Sequence, residues 1–320
     1  MKPPDTAPNQ KTPPKRWLRW ALYLLAAFIF AIGLFIAGIY FELHRANGEV
    51  LTRGQKRAYL LHVPKTIPGN RPMPLVICLH GFAEWPAHLM RLSHWNQLAD
   101  QFGFIVVYPR GSGFPFRWRS GGWLGQQKQL SDDVQFISDL LDQLKKQYNI
   151  DDTRIYANGL SNGGGMAFML AGRLSERIAA FGGVGGAYVL PWTEYQPKRP
   201  VPAIIFHGTA DPIVPFHAQS SGRFSVLPDI PSWVNTLAEH NGCRTNPVAL
   251  LGNGSVTGVR YSAGTNTADV VLYTVTGGGH TWPGGKPMPA AIVGKTSSDI
   301  DATRLMWNFF VEHPLPKKGL

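Results

Sequence analysis

Short apolar runs alternate along most of this chain with stretches of helical periodicity. The runs RAYLLHV, PLVICLH, FIVVYP, RIYANG, PAIIFHG and DVVLYTV have the length and composition of buried strands. The clearest helical stretch, DDVQFISDLLDQLKKQYN, places Val134, Ile137, Leu141 and Leu144 on one face behind an acidic first turn. This alternation predicts an α/β fold, in which a mostly parallel central sheet is flanked by helices.

The same pattern continues to the C-terminus. A last helix is predicted from about Ser298, and it ends before Pro314. It would place Leu305, Met306, Phe309 and Phe310 on the sheet. Because no internal repeat or low-complexity linker follows residue 44, we predict one domain over residues 44–320.

The first 41 residues differ in composition from the rest of the chain. Residues 1–19 carry five prolines and five basic residues against one acidic residue, which predicts a disordered tail. Residues 20–41 contain no charged side chain, and a helix needs about 20 residues to cross the hydrocarbon core of a bilayer. We therefore expect a transmembrane signal anchor at 20–41, through which the chain contacts a membrane.

The charges that flank this segment predict its orientation. Five Lys or Arg residues precede it and three follow within the next fifteen residues, so the positive-inside rule places the N-terminus in the cytoplasm. The domain would then lie in the periplasm or outside the cell. A cleaved signal peptide, which would release the protein, is the alternative. However, the segment is longer than the usual apolar region of about 7–15 residues and lacks a clear small-x-small cleavage site.

The net charge of +11 also bears on possible partners. Beyond the tail, the basic residues are spread along the chain rather than gathered on one helix with interleaved aromatics, so nucleic-acid binding is not predicted. Attraction to an anionic envelope surface is the simpler interpretation. The two cysteines, Cys78 and Cys243, lack the spacing of metal ligands, and we predict neither a metal site nor a cofactor.

The segment GLSNG at 159–163 stands between the apolar run RIYA and the helical stretch MAFMLAGRL. It matches G-x-S-x-G, the pattern of a nucleophile on a sharp turn between a strand and a helix. The glycines permit the turn, and the start of the helix points backbone N–H groups toward a developing oxyanion. We predict that Ser161 is a nucleophile; a glycine-rich turn that caps the helix is the alternative.

A nucleophilic serine needs a base, and the base needs an orienting carboxylate. With this turn the chain order is serine, then acid, then histidine. Asp211 and His280 both follow predicted strands in that order. Taken singly, Asp211 is equally consistent with an Asx turn or helix cap, and His280 with a structural histidine. Together with Ser161 they predict a catalytic triad.

Two further histidines, His80 and His207, stand in HG dipeptides at the ends of predicted strands. We expect both to hydrogen-bond the backbone of their loops. An oxyanion hole of this class takes one N–H from the loop after an early strand and one from the residue after the nucleophile. The predicted donors are therefore the backbone N–H groups of Phe82, in LHGF, and of Asn162.

Four segments in this order, LHGF, GLSNGGGMA, HGTADPIVP and GGGHTWPGG, resemble those of secreted esterases. The family groups short-chain poly(3-hydroxybutyrate) depolymerases with feruloyl and acetylxylan esterases, and the resemblance covers about residues 50–312. The last segment is the most specific, because the α/β-hydrolase fold in general does not require HTWPGG. The resemblance implies an α/β-hydrolase fold with Ser161 as nucleophile, Asp211 as acid and His280 as base. It also implies that Trp282 borders the substrate cleft.

The chain departs from this resemblance in two respects. Members of the family often have a cysteine that pairs with the one in NGC, whereas the corresponding segment here, YSAGTNTADV, has none. We therefore expect Cys243 to be a free thiol and Cys78 to be a small core residue. The sequence also shows no Ser/Thr-rich linker to a polymer-binding module, which favours small or oligomeric esters over a crystalline polyester.

The segment RGSGFPFRWRSGGWLG at 110–125 carries Phe114, Phe116, Trp118 and Trp123 among glycines. Such a loop after a strand is expected to line an acyl or aromatic pocket, with Trp118 as a substrate contact. A small hydrophobic cluster beneath the loop is the alternative.

These features together predict an extracytoplasmic serine carboxylic-ester hydrolase. It would act through an acyl-enzyme on short polyhydroxyalkanoate-type, feruloyl or acetyl esters. A serine peptidase or thioesterase with the same triad is one alternative, because nothing in the sequence specifies the scissile bond. A non-catalytic anchored domain of the same fold, which binds a surface ligand, is another.

Overall fold

The structure, a computed structural model, describes residues 16–65, 71–121, 130–222, 225–244, 246–262 and 268–316. The chain divides into two units after His44. In the first unit, helix α1 (Arg16–His44) is long and apolar enough to cross a membrane over Arg19–His44. Residues 16–19 are helical where composition predicted a disordered tail, and no proline that would interrupt the helix occurs between Pro14 and Pro64. Residues 1–15 of that predicted tail lie outside the described residues.

The second unit is built on a ten-stranded sheet with the order β1-β2-β4-β3-β5-β6-β7-β10-β9-β8. The strands are β1 (Gly48–Thr52), β2 (Gln55–His62), β3 (Met73–Leu79), β4 (Ile105–Pro109), β5 (Ile150–Leu160), β6 (Ala180–Val184), β7 (Ala203–Gly208), β8 (Val248–Asn253), β9 (Val256–Tyr261) and β10 (Val270–Val275). The central strands from β4 across to β10 run parallel. Antiparallel pairs extend the sheet at both edges.

Helices cover both faces of this sheet. One face carries α4 (Leu130–Gln147), α5 (Asn162–Arg173) and α6 (Ile230–His240). The other carries α2 (Pro86–Ser93), α3 (Trp95–Phe102) and α8 (Ala302–Glu312). Strand β3 serves both layers, because side chains alternate along a strand: Leu75 and Ile77 join the first core, whereas Val76 and Cys78 join the second. A short helix, α7 (Ala290–Val293), lies between β10 and α8.

The predicted fold class, a mostly parallel sheet flanked by helices, is confirmed, and each of the six predicted strands is present. Strands β1, β6, β8 and β9 were not predicted. The last helix begins at Ala302 rather than near Ser298, because the Asp301 side chain accepts a hydrogen bond from Arg304 N and caps the helix there.

Both cysteines are free and buried, as expected. The Cys78 thiol donates to Asn158 Oδ1 over 3.2 Å, and the Cys243 thiol donates to the Ala268 carbonyl over 3.5 Å. Burial raises the pKa of Cys78, and it raises that of Cys243 to about 11. Both groups therefore remain thiols at neutral pH, which makes them poor nucleophiles.

Candidate active site

Ser161 lies on the sharp turn between β5 and α5. Its φ of 56° and ψ of −120° form a conformation that residues with a side chain rarely adopt, at a cost of about 1–3 kcal/mol. The surrounding backbone holds the turn in place. The Ser161 N–H donates to the Val184 carbonyl over 2.9 Å, and the Ser161 carbonyl accepts from Ala187 N over 3.0 Å. The strain is thus maintained at the residue predicted to be the nucleophile.

The glycines of GLSNG allow this turn to pack against the end of β3. A Cβ atom on Gly163 would lie 2.0 Å from the Leu79 carbonyl oxygen, and one on Gly159 would lie 2.4 Å from the Gly163 carbonyl carbon. Any side chain at either position would collide with backbone. The close packing also brings the loop after β3 next to the turn, since a Cβ on Gly81 would lie 3.4 Å from the Ser161 Cβ.

His280 and Asp211 form a buried pair beyond the ends of the neighbouring parallel strands β10 and β7. His280 Nδ1 donates to Asp211 Oδ2 over 2.7 Å. The other carboxylate oxygen, Oδ1, accepts from the N–H groups of Ile213 and Val214, each over 2.8 Å. Asp211 therefore forms an Asx-type turn and also orients the histidine ring, so these two interpretations of the residue are compatible.

Ser161 and His280 both line a cavity of about 620 Å³. The cavity opens at the carboxyl ends of the parallel strands, where ligands bind in open α/β sheets. Much of its remaining wall is apolar, formed by Phe82, Trp118, Ile213, Met288, Ile292 and Val293. The cavity thus places the Ser161 and His280 side chains beside a surface suited to an acyl chain or an aromatic ring.

The predicted oxyanion donors, Phe82 and Asn162, also line this cavity. Within the described part of the chain, neither backbone N–H donates to a protein acceptor. Asn162 is the first residue of α5, where the helix dipole adds positive potential. A tetrahedral oxyanion is stabilised by N–H groups that no protein acceptor occupies, and these two groups beside Ser161 meet that requirement among the described residues.

His80 fixes the peptide that carries one of these donors. Its Nδ1 donates to the Gly81 carbonyl over 2.7 Å, and its Nε2 accepts from Gly111 N over 2.9 Å. Burial lowers the pKa of His80 to about 4, so the ring is neutral at physiological pH. The C=O and N–H of a trans peptide point in opposite directions. The bond to the Gly81 carbonyl therefore turns the Phe82 N–H away from the His80 ring.

We expect His80→Ala to lower kcat for ester hydrolysis about 10- to 100-fold with little change in KM, because the Phe82 N–H is no longer held for the transition state. The affinity for a boronic acid that mimics the tetrahedral intermediate should fall in parallel. His62→Ala, which removes a partly exposed histidine paired with Asp100, is the control. A loss of thermal stability with unchanged kcat and boronate affinity would restrict His80 to a structural role.

The two tryptophans predicted to contact substrate lie in different settings. Trp118 lines the cavity, although it is only 3% exposed, and its Nε1 donates to the His80 carbonyl over 2.9 Å. Trp282 is 1% exposed and does not line the cavity. Its Nε1 donates to Thr303 Oγ1 over 2.9 Å, which holds the ring in the core beside α8. The structure therefore brings Trp118, and not Trp282, to the cavity.

The segment at 110–125, predicted either to line a pocket or to form a small hydrophobic cluster, does both. Trp118 lines the cavity, whereas Phe116 is buried against His80 and Phe114 is exposed. Residues 122–125, which include Trp123, lie outside the described residues. The segment 288–293 also lines the cavity, and it was not predicted because it has neither a motif nor a long helical pattern.

Comparisons with known proteins find that this chain is similar to esterases. Residues 57–191, which include Ser161 but not Asp211 or His280, match the family model described as "Esterase PHB depolymerase". A bifunctional acetylxylan esterase/xylanase of Neocallimastix patriciarum is 34% identical over 62% of this chain and 28% of its own length. A poly(3-hydroxyalkanoate) depolymerase of Paucimonas lemoignei is 27% identical over 69% of this chain. The chain spans 58% of that relative's length.

A feruloyl esterase of Emericella nidulans is 24% identical over 86% of this chain and 94% of its own length. Among solved structures, an acetyl xylan esterase from Aspergillus awamori aligns with a TM-score of 0.55 at 16% identity, over 82% of this chain and 96% of that one. The structural match shows a shared α/β-hydrolase fold. The resemblance to esterases is confirmed by these comparisons, which support carboxylic ester hydrolase activity.

Proposed function

We propose that this protein is a serine carboxylic-ester hydrolase that acts through an acyl-enzyme. The observation that carries the proposal is the meeting of the strained Ser161 turn and the His280–Asp211 pair at one cavity. The N–H groups of Phe82 and Asn162, which donate to no protein acceptor among the described residues, add the stabilising donors that acyl transfer needs.

In this mechanism Ser161 Oγ attacks the ester carbonyl carbon while His280 Nε2 accepts the hydroxyl proton. The Phe82 and Asn162 N–H groups stabilise the negative oxygen of the tetrahedral intermediate. Collapse of the intermediate breaks the bond to the alcohol oxygen, which takes the proton from His280. Water then attacks the acyl-enzyme by the same sequence and releases the acid. Asp211 holds the ring with its proton on Nδ1 and stabilises the imidazolium.

The proposed substrates are short polyhydroxyalkanoate-type, feruloyl or acetyl esters. Two observations support this range: the largely apolar cavity of about 620 Å³, and the names of the relatives, which cover all three kinds of ester. The cavity also has room for an aromatic acyl group such as the feruloyl group.

A panel of esters tests this proposal. We expect 4-nitrophenyl acetate and butyrate, methyl ferulate and 3-hydroxybutyrate oligomers to include good substrates, with a burst of alcohol release when deacylation is the slower step. Matched thioesters and peptides should be poorer substrates by kcat/KM. Faster turnover of a peptide or thioester would assign the triad to a different bond.

We further propose that α1 is an uncleaved anchor and that the catalytic domain lies outside the cytoplasm. The length and hydropathy of Arg19–His44 and the excess of basic residues before the segment support this location. Expressed from its own start codon, the protein should stay with membranes through high-salt and alkaline washes. Protease added to intact cells, with any outer envelope permeabilised, should reach the domain.

Two outcomes would contradict this location. A mature N-terminus near residues 38–48 in a soluble extracellular fraction would identify the segment as a signal peptide. Protection of the domain from added protease would reverse the orientation.

A further inference from the structure

Arg117 places a positive charge on the wall of the cavity that holds Ser161 and His280. Its backbone is fixed by two hydrogen bonds to Ser112, Ser112 N to Arg117 O over 3.0 Å and Arg117 N to Ser112 O over 3.1 Å. The next residue, Trp118, is tied to the Asn162 side chain through both its N–H and its carbonyl. The backbone that carries the Arg117 side chain is therefore hydrogen-bonded, through Trp118, to the first residue of α5 next to Ser161.

The Arg117 guanidinium has no carboxylate partner within the described part of the chain. Its recorded hydrogen bond there runs from Nη1 to the Pro115 carbonyl at 3.4 Å, which is long for an N–H···O bond. The group lies beside Gly113, where a Cβ atom would stand 3.4 Å from Arg117 Cζ. Most of its five N–H donors are thus left for a ligand or for water.

Nearby arginines are neutralised by acids. Arg57 pairs with the buried Asp133 over 2.9 Å, and Arg119 pairs with Asp132 over 3.7 Å. Arg117 differs from both because it lines the cavity without such a partner.

Glu84 is an acidic residue that also lines the cavity, and its carboxylate already has partners other than Arg117. One of its oxygens accepts from Gly81 N over 2.8 Å, and the other lies 3.4 Å from His88 Nδ1. Burial acts to raise its pKa, but the proximity of His88 and the hydrogen bond from the Gly81 N–H outweigh it and hold the pKa below its ordinary value. The Glu84 carboxylate is thus stabilised within its own loop, whereas the Arg117 guanidinium has no carboxylate partner among the described residues.

We propose that Arg117 binds a carboxylate that the substrate carries in addition to its scissile ester. The preferred substrates are then anionic esters with an apolar body, such as the free-acid end of a hydroxyacid oligomer. A planar guanidinium can bind a carboxylate through two parallel hydrogen bonds, and the apolar wall accommodates the rest of the molecule. This inference rests on the proposed ester hydrolysis and adds a substrate class to it.

The carboxylate can belong to the alcohol or to the acyl part of the ester. Two pairs of esters, each with one anionic and one neutral member, distinguish these two cases. The linear dimer of 3-hydroxybutyrate carries it on the alcohol side, and the methyl ester of the dimer lacks it. Mono(4-nitrophenyl) glutarate carries it on the acyl side, and 4-nitrophenyl butyrate lacks it. We expect the wild-type protein to prefer the anionic member of at least one pair by kcat/KM.

Arg117→Met should lower kcat/KM for that preferred anionic ester about tenfold, mainly through KM, because one charge-assisted contact is lost from a partly exposed site. The neutral member should change by less than about threefold, since an apolar side chain of similar length remains. Arg119→Met is the matched control, an adjacent arginine that does not line the cavity, and it should preserve the wild-type preference.

Absence of a preference for an anionic ester in both pairs, or an equal loss on the anionic and neutral members, would overturn the inference and leave ester hydrolysis intact. If the wild-type protein hydrolyses no ester, the proposed function fails. A binding measurement then tests separately whether Arg117 binds a carboxylate. Calorimetry with glutarate and the Ser161→Ala protein should then show measurable binding that is about tenfold weaker when Arg117→Met is added. Equal binding by the two proteins would refute the site.

Discussion

Replacing Ser161 with alanine is expected to lower kcat for short acyl esters by about 10⁴-fold or more, because no other group can form the acyl-enzyme. The thermal midpoint should change little. The hydroxyl makes no recorded hydrogen bond within the described residues, and alanine retains the backbone conformation at φ 56°. Initial rates with 4-nitrophenyl butyrate and a thermal melt measure the two effects.

Ser161→Gly is the matched variant for the backbone. It also lacks the hydroxyl and should be equally inactive, but it should be more stable than the alanine variant, because glycine adopts a positive φ without a steric penalty. Retention of wild-type turnover by either variant would end the mechanism. Equal stability of the two would show that the turn does not carry the strain assigned to it.

Replacing Asp211 with asparagine is expected to lower kcat by about 10⁴-fold while the fold is preserved. The reason lies in the hydrogen bonds of the carboxylate. If the remaining oxygen keeps the N–H groups of Ile213 and Val214, the new NH₂ group faces His280 Nδ1. It then donates to Nδ1, the ring proton moves to Nε2, and the base can no longer accept a proton from Ser161.

Asp132→Asn is the control for this substitution. Asp132 pairs with Arg53 and Arg119 at a partly exposed position, so its replacement should leave kcat within about twofold of wild type. Asp133 is a poorer control, because its buried carboxylate binds Arg57 and the Arg119 N–H, and its loss would reduce stability. A larger loss of rate in Asp132→Asn than in Asp211→Asn would show that the wrong carboxylate has been assigned.

The central sheet could be predicted because its strands are continuous apolar runs that end in turn residues. Strand β6, AFGGV, lacks this signal because two of its five residues are glycine. The reason is tertiary: a Cβ on Gly183 would lie 2.0 Å from the Tyr188 hydroxyl oxygen. Strand β8 is mostly exposed at the sheet edge, so burial imposes little pattern on its sequence. The β6 strand was therefore missed because of a contact that a local window of sequence does not contain, and β8 because few of its residues are buried.

Some residues of the candidate site could likewise be predicted from the sequence, and others could not. Ser161, Asp211 and His280 could be identified because each follows a strand, and the carboxyl ends of parallel strands meet at one edge. The resemblance to esterases implied that Trp282 borders the cleft, but the Trp282 indole N–H donates to Thr303 in the core. Arg117 showed no sequence signal of its own, since the role proposed for it depends on its place at the cavity and on the absence of a carboxylate partner among the described residues.

The proposed mechanism requires that Ser161 form a covalent acyl-enzyme, and labelling with a fluorophosphonate tests whether Ser161 is the reactive nucleophile. The wild-type protein should gain one adduct per chain in its intact mass, and peptide mapping should place the adduct on Ser161. Ser161→Ala should gain none, and Asp211→Asn should react more slowly. An adduct on another residue, or rapid ester hydrolysis by a protein that Ser161 labelling does not inhibit, would contradict the claim.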